Sequence, residues 1–501
     1  MIIAIYDLTQ RRHAILRNFP IVGHLRYLLE AIGPELRQYI VTDNDEERPF
    51  SRDQRRWVYT SAKRESNVFG FGTDNDLENS SNYLIVQHAA FPCAPPTTGD
   101  VARSPHWRIP VAKVVGAARQ RRGAFRMDSI VNISGMSFGS LSGAAVRALN
   151  EGAKLAGCLQ ATGEGGVTPH HDRGGELVWQ VGTGYFGCRD AQGNFSLEHF
   201  CRTLAAYPQI RAIEVKLSQG AKPGLGGLLP AAKVTREIAA IRGVPVGVDC
   251  HSPASHRAFG DVDSMLDFVE LLAAESGLPV GIKSAVGEFR FWELLTDAMA
   301  TDRERGVDFV VIDGGEGGTG AAPLAFSDHV ALPFKLAFAR VYSAFAERRI
   351  ADRVVFVGSG KLGFPEDALL AMALGCDAIN VGREAMLSIG CIQAQRCHTG
   401  HCPTGVATQS AWLSRGLDPA SKAVRCAQYI ETLRHEVLQL SWAAGFEHPA
   451  LLTPDRIEFV DDRFGSRPAS EVFDYGRGWG RPSPSDCAEV VSLLGTDAAT
   501  P

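Results

Sequence analysis

The chain has 501 residues, of which 45% are hydrophobic and 21% charged, with a formal net charge of −5. That length can bury a large core, and the composition suits a soluble enzyme rather than a disordered or fibrous chain. The small negative charge argues against nucleic acid or a membrane as partner, and no apolar run approaches the ~18 residues a membrane helix needs.

The opening Met1-Ile-Ile-Ala-Ile-Tyr6 is too short to span a bilayer and lacks a signal-peptide pattern. Residues 25–40 have helical periodicity, and 43–56 form a charge run that reads as a solvated face. Residues 1–100 are expected to be a helical leader packed on the domain that follows, with Pro92-Cys-Ala-Pro95-Pro96 as the joint. From 101 to 410 short β-branched runs end repeatedly in Gly-rich turns and are followed by Ala/Leu/Glu-rich stretches. Candidate strands fall at 129–134, 159–162, 212–217, 244–248, 279–283, 309–312, 353–357 and 378–381. This alternation predicts an α/β fold, a (β/α)8 TIM barrel; the competitor is a doubly wound sheet. Glycines sit just after strands, where barrel enzymes carry their active-site loops, which favours the barrel. Residues 411–474 are expected to form a helical extension, with Asp418 capping a helix to about Ala444, and 475–501 a loosely ordered, Gly/Pro/Ser-rich tail.

Chemistry concentrates on the strand ends. Lys216 and Ser218 share one face of an extended stretch, followed by Gln219 and Lys222 on a glycine loop. Desolvating an unpaired ammonium costs several kcal/mol by order of magnitude, so Lys216 calls for an anionic partner, a carboxylate or a ligand. Lys283 repeats the device on a later strand. The loops Gly358-Ser359-Gly360 and Gly382-Arg383 follow the last two predicted strands, where barrels commonly bind phosphate through backbone N–H groups. Such a site beside a strand lysine suits flavin mononucleotide, FMN. The acid-bearing loops 161–166 and 313–320 match neither a Walker loop nor a dinucleotide fingerprint, so electrons are expected from a separate protein or from substrate.

Eleven cysteines, an odd number over a long chain, do not suggest a disulfide framework; a reduced, cytoplasmic setting is expected. Cys391, Cys397 and Cys402, the last followed by Pro403, have the spacing of thiolates around a small iron–sulfur cluster, either three-iron or with a fourth ligand from elsewhere. A zinc knuckle using His398 or His401, or plain buried thiols, are the alternatives.

Several ordered motifs resemble the flavin-binding region of glutamate synthase over roughly residues 125–410. They are Met136-Ser-Phe-Gly-Ser-Leu-Ser142, Thr162-Gly-Glu-Gly-Gly166, Lys216-Leu-Ser-Gln-Gly-Ala-Lys-Pro-Gly224, Gly317-Gly-Thr-Gly-Ala321 and the run from Cys397 to Gln409. The resemblance implies a barrel holding FMN with a 3Fe-4S cluster on Cys391, Cys397 and Cys402. It implies reduction of 2-iminoglutarate, formed from 2-oxoglutarate and ammonia, to L-glutamate. FMN would be held by Met136, Ser137, Thr162, Gln180, Lys283, Gly314, Gly315, Gly358–Gly360, Gly382 and Arg383. Glu164, Lys216, Gln219, Lys222 and Arg242 would line the oxo-acid pocket. An electron donor protein (a ferredoxin or a reductase subunit) and a separate glutaminase subunit are the implied partners, since no glutaminase segment with its nucleophilic cysteine is recognisable. Leu228 stands where the large enzymes have Gln, and Gly315-Glu316 where they have His-Asp; the first departure leaves room for another 2-oxo or 2-amino acid, such as an N-alkyl glutamate, as product. An electron-relay subunit with a vestigial flavin site is a third reading.

Overall fold

The structure, a computed structural model, describes residues 1–68, 70–77, 80–93, 108–463 and 465–495. The chain separates into two units, Met1–Trp57 and the remainder from Val58. Most of the second unit is built on a closed barrel of eight parallel strands. They are β1 (Val131–Ile133), β2 (Gln160–Ala161), β3 (Leu177–Val181), β4 (Ile210–Lys216), β5 (Val280–Ser284), β6 (Phe309–Asp313), β7 (Val355–Ser359) and β8 (Ala378–Val381). Closure comes from β8 against β1, with Ile379 opposite Val131. Phe-Val-Val-Ile-Asp in β6 and Val-Phe-Val-Gly-Ser in β7 are buried throughout, because helices cover one face and the barrel filling covers the other.

An antiparallel ribbon, Val114–Val115 with Phe125–Arg126, lies at the amino-terminal mouth. Val115 and Phe125 there meet Met127, Ile133 and Val311 around a residual void of about 20 Å³. Lys113 is buried beside it, its ammonium 3.0 Å from Asp377. The carboxyl-terminal mouth is left for chemistry. The helix Pro419–Ala443 begins as expected, with Asp418 Oδ2 accepting from Ser421 N at 3.0 Å. It packs on the helix Gly143–Ala156 so closely that a Cβ on Gly152 would lie 2.7 Å from the Cβ of Cys426.

The structure differs from the sequence reading in four places. Residues 244–248 are not a strand: Pro245 has no N–H to give a ladder, Gly247 takes φ +68, and Val246 and Val248 are exposed. The third barrel strand is instead Leu177–Val181, which the reading passed over. The charged, Gly-rich Asp172-Arg-Gly-Gly-Glu176 before it reads as a loop that runs on. The leader and the C-terminal extension are not wholly helical. Tyr83–Val86 pairs antiparallel with Ile457–Val460, which pairs in turn with Ser466–Pro468. Finally, the segment after residue 474 is structured within the described residues. Tyr475 stacks on Tyr342 with centroids 5.6 Å apart and donates to the Leu374 carbonyl, and Pro484–Gly495 is a helix with Val490 buried. Aromatic anchors between the Gly and Pro residues outweigh that composition. The joint read at 92–96 falls largely on residues 94–107, outside the described residues.

Candidate active site

Every predicted site residue with chemistry to offer lies on the carboxyl-terminal rim or on the loops that leave it. Lys216 ends β4 and is the register partner of Lys283 on β5, so two ammonium groups stand side by side. Both are buried. Their countercharges differ. Lys283 faces Asp313, the last residue of β6, at 3.5 Å. Asp313 Oδ2 in turn accepts the Gly220 N–H at 2.9 Å. Lys216 reaches Glu164 Oε2 at 3.0 Å and Gln219 Oε1 at 3.2 Å.

Glu164 is held between two lysines, since Lys222 Nζ lies 3.5 Å from its other oxygen. Burial pulls the Glu164 pKa upward, but Lys216, then Lys222 and Arg242, overturn that and bring it down to about 2. Burial lowers the Lys222 pKa, opposed by Glu164. Lys222 also donates to the Gly226 carbonyl at 3.2 Å. Arg242 donates to the Phe138 carbonyl at 3.0 Å and stacks over the Phe186 ring at 5.0 Å. Its Nε is buried with no hydrogen-bond partner. One carboxylate therefore faces three cations. The cluster keeps a surplus of positive charge, which an anionic ligand can neutralise.

The second half of the rim is glycine and backbone. Gly314 N donates to the Ser359 carbonyl at 2.8 Å, tying the loop after β6 to the end of β7. Gly360 has φ +131, and a Cβ there would meet Gly314 N at 3.1 Å. A side chain on Gly220 is excluded outright, because its Cβ would sit 1.9 Å from the Gly314 oxygen. Gly315 N donates to the Leu332 carbonyl at 2.9 Å. Beside Gly382 a Cβ would meet only Ser134, at 3.6 Å, so room remains next to the end of β8. Arg383 extends across Gly318 and donates to the Glu316 carbonyl. Gln180 N donates to Thr162 Oγ1, and the Gln180 amide donates to Glu214. The backbone at Met136 and Ser137 runs against Gly163, whose Cβ would be 2.4 Å from Ser137 N. The room beside Gly382, with Arg383 next in the chain and Lys283 on the same rim, is an arrangement that fits a flavin phosphate and ring.

The cysteine loop lies on this rim too. A Cβ on Gly320, in the loop after β6, would be 3.3 Å from the Cys397 Cβ. Lys233 donates to the Cys397 carbonyl at 2.6 Å and to the Ala407 carbonyl at 3.2 Å. Burial raises the Cys402 pKa, but N–H groups of Ala407, Thr404 and Val406 and the Thr404 hydroxyl more than reverse it. The Cys397 thiol is pushed up, by burial first and then by Cys402, with Lys233 opposing. Cys391 Sγ accepts from Gln393 N at 3.4 Å, and its carbonyl from Tyr59 Oη at 2.8 Å. Thiolate-favouring N–H groups around Cys402 suit an iron–sulfur ligand. Among the described residues, however, no three His, Cys, Asp or Glu side chains converge as a metal set.

Three participants escaped the sequence reading, and a fourth, Asp313, was read only as part of an acid-bearing loop. Glu214 is two residues before Lys216 and so on the same face of β4; burial raises its pKa and Lys283 opposes. Asp313 closes β6 directly before the glycine loop. His256 Nε2–H donates to the Lys216 carbonyl at 2.9 Å, so Nδ1 of the neutral ring accepts from Tyr185 Oη at 3.1 Å, and burial lowers its pKa to about 4. Lys233 left no signal, because its partners are carbonyls distant in sequence.

The model of the conserved region in glutamate synthase matches residues 108–447. The chain belongs to the glutamate synthase family. It is 36% identical over 487 residues to the glutamate synthase large subunit-like protein YerD of Bacillus subtilis, covering 91% of this chain and 92% of that one. It is 36% identical to an archaeal glutamate synthase [NADPH] of Methanocaldococcus jannaschii, covering 64% of this chain but 60% of the relative. A glutamate synthase large subunit-like protein of Rhizobium meliloti is 31% identical over 65% of this chain and 73% of that one. Among solved structures, a mandelate oxidase with benzaldehyde matches at TM-score 0.45 and 15% identity, covering 83% of this chain and 98% of that one. Flavocytochrome b2 with sulfite bound matches at TM-score 0.44 and 13% identity, covering 82% and 83%. Likenesses of that size carry no further argument. This glutamate synthase-like chain is an oxidoreductase by family. No helix among its described residues is long and apolar enough to cross a membrane.

Proposed function

We propose that this barrel binds FMN and reduces 2-iminoglutarate, formed from 2-oxoglutarate and ammonia, to L-glutamate. Thr162, Gln180, Lys283, Met136, Ser137 and the glycine loops 314–315, 358–360 and 382–383 would hold the flavin, which supplies the hydride when bound. The observation that carries the substrate is the charge surplus at Glu164: Lys216, Lys222 and Arg242 surround one carboxylate. A dicarboxylate brings two acceptors for charge-assisted bonds at that surplus. Lys216 and Lys222 orient its carboxylates, Glu164 keeps the two ammonium groups from repelling each other, and Gln219, anchored on the Gly318 carbonyl at 3.1 Å, closes the pocket edge. Cys391, Cys397 and Cys402 would carry a 3Fe-4S cluster fed by a separate donor protein in a cytoplasmic setting. Nitrogen would enter as ammonia, free or from a separate glutaminase subunit.

Anaerobic purification from an iron-replete host should give a flavin spectrum with cluster shoulders. Reduced protein with 2-oxoglutarate and ammonia should then form glutamate. A colourless, iron-free preparation sinks the cofactor reading; a coloured protein that makes no glutamate sinks the substrate alone. A second reading rests on Leu228, which is 37% exposed next to Gly227, whose Cβ would be 3.1 Å from Glu164 Oε1. An apolar wall there admits an N-alkyl group, and a screen of alkylamines against ammonia separates the two products.

A further inference from the structure

Beneath Lys283 the barrel buries more acid than one ammonium answers. Glu214 stands opposite Gly281 in the register of β4 and β5, two residues before the Lys216–Lys283 pair and on the same face. Its register partner on β3 is Gln180. Glu214, Gln180, Lys283 and Asp313 are all buried. Lys216 is engaged by Glu164 at 3.0 Å, so Glu214 and Asp313 have Lys283 between them as their shared cation. A further negative charge arriving at Lys283 would gather like charges out of water, and a proton on one carboxyl relieves that.

The two carboxyls are held differently. Asp313 faces the Lys283 ammonium at 3.5 Å and accepts the Gly220 N–H at 2.9 Å. Both partners can only donate, which favours ionised Asp313. Glu214 has one hydrogen bond among the described residues, from the Gln180 amide. A primary amide offers an acceptor oxygen as well as donors. Turned over, Gln180 can receive a carboxylic acid proton, so this contact suits Glu214 in either state. The amide fits because residue 135 is glycine: a Cβ there would lie 2.9 Å from Gln180 Nε2 and 3.2 Å from its Oε1. Burial raises the Glu214 pKa; Lys283, Gln180 and Lys216 oppose that, and Asp313 adds to it.

We infer that Glu214 is a positioning residue that acts through Lys283 and Gln180, ionised while the bound flavin is oxidised and protonated once the flavin is reduced. This rests on the flavin reading of the rim. Two electrons from the separate donor enter the ring with one proton, and the second proton passes from water to the Glu214 carboxylate. When the ring gives up hydride, Glu214 returns its proton to water. Lys283 then meets the added negative charge with one carboxylate beside it instead of two.

The midpoint potential of the bound flavin, followed from pH 5 to 8 in the parent and in Glu214→Gln, tests this. One extra proton per two electrons makes the parent's reduction equilibrium fall by a further factor of about ten per pH unit, about 30 mV, over the window between the two pKa values of Glu214. The variant should lack that extra slope while keeping its flavin. A carboxyl that only supports the fold would move the melting curve and leave the slope alone. Equal slopes with flavin bound to both proteins overturn the inference and leave the flavin reading standing. A parent that purifies without flavin overturns both. For a variant that loses flavin, the parent decides by its reduced-minus-oxidised infrared spectrum. A protonated carboxyl band should appear on reduction and move when glutamate carboxyls carry carbon-13; its absence overturns the inference.

Discussion

Replacing Glu164 by Gln removes the one negative charge between Lys216 and Lys222 while keeping the side chain's shape. The carboxyl pKa falls from 4.5 to about 2 in the folded chain. That shift corresponds to about 3 kcal/mol of stabilisation at neutral pH, as an order of magnitude. Because the folded pKa is depressed, the stabilisation is present above pH 4.5 and is lost as pH falls toward 2. Roughly half should remain near pH 3.3. Glu164→Gln should therefore be less stable than the parent by up to about 3 kcal/mol at pH 7, with the gap narrowing below pH 4.5. Paired urea titrations at pH 7, 5 and 4 read the gap. A double-mutant cycle with Lys216→Met should show coupling of at least about 1 kcal/mol. A gap that is constant across this range, or additive effects in the cycle, would refute the idea that the two ammonium groups are held by this carboxylate.

Three further outcomes follow from the rim. Gly220→Ala places a methyl 1.9 Å from the Gly314 oxygen, so it should cost about 3 kcal/mol or more and separate the loops after β4 and β6; a melting curve matching the parent's would contradict the geometry. Lys283→Ala should lower the flavin retained on purification by at least about tenfold, read by absorbance after gel filtration, while Lys216→Ala keeps the flavin and loses turnover. His256, with its pKa lowered to about 4 by burial, is neutral at working pH. Its stabilisation is lost as pH falls below the unfolded value of 6.5, so His256→Gln should flatten the acid limb of the parent's stability profile between pH 6.5 and 4.

The barrel was legible because its evidence is periodic. Strands such as Phe309–Asp313 are β-branched, buried on both faces and punctuated by glycine. The strand at 177–181 was hidden because Gln180 breaks the apolar run and the charged, Gly-rich 172–176 leads into it, and Val244 to Val248 mimicked a strand because composition does not reveal exposure. At the site, lysines on strand ends announced themselves, since a buried ammonium demands a partner. The partner was less visible: Glu164 comes from the loop after β2, and nothing local tied it to Lys216. Asp313 and Glu214 were readable in principle, one as the acid that ends a strand, the other by alternation from Lys216. Lys233 bonds to backbone carbonyls, as does one ring nitrogen of His256, and backbone acceptors leave no trace in side-chain sequence.

Lys233 joins the two halves of the rim. Its ammonium is buried and donates to the carbonyls of Ser140, Cys397 and Ala407 at 3.4, 2.6 and 3.2 Å. One cation thus pins the loop after β1 to both flanks of the cysteine loop. Burial lowers its pKa, and Cys397 and Cys402 oppose that, so charge on the sulfurs and charge on Lys233 support each other. Lys233→Met fills the space but strands the carbonyls, at a cost on the order of 1–3 kcal/mol for each that water cannot reach. It should also release the loop that presents Cys397. The expected result is a joint fall in bound iron and in thermal stability, with flavin content less affected because Lys283 and the glycine loops do not touch Lys233. Iron content equal to the parent's would show that the sulfurs are positioned without this ammonium. Loss of flavin ahead of iron would place Lys233 with the barrel mouth instead of with the cysteines.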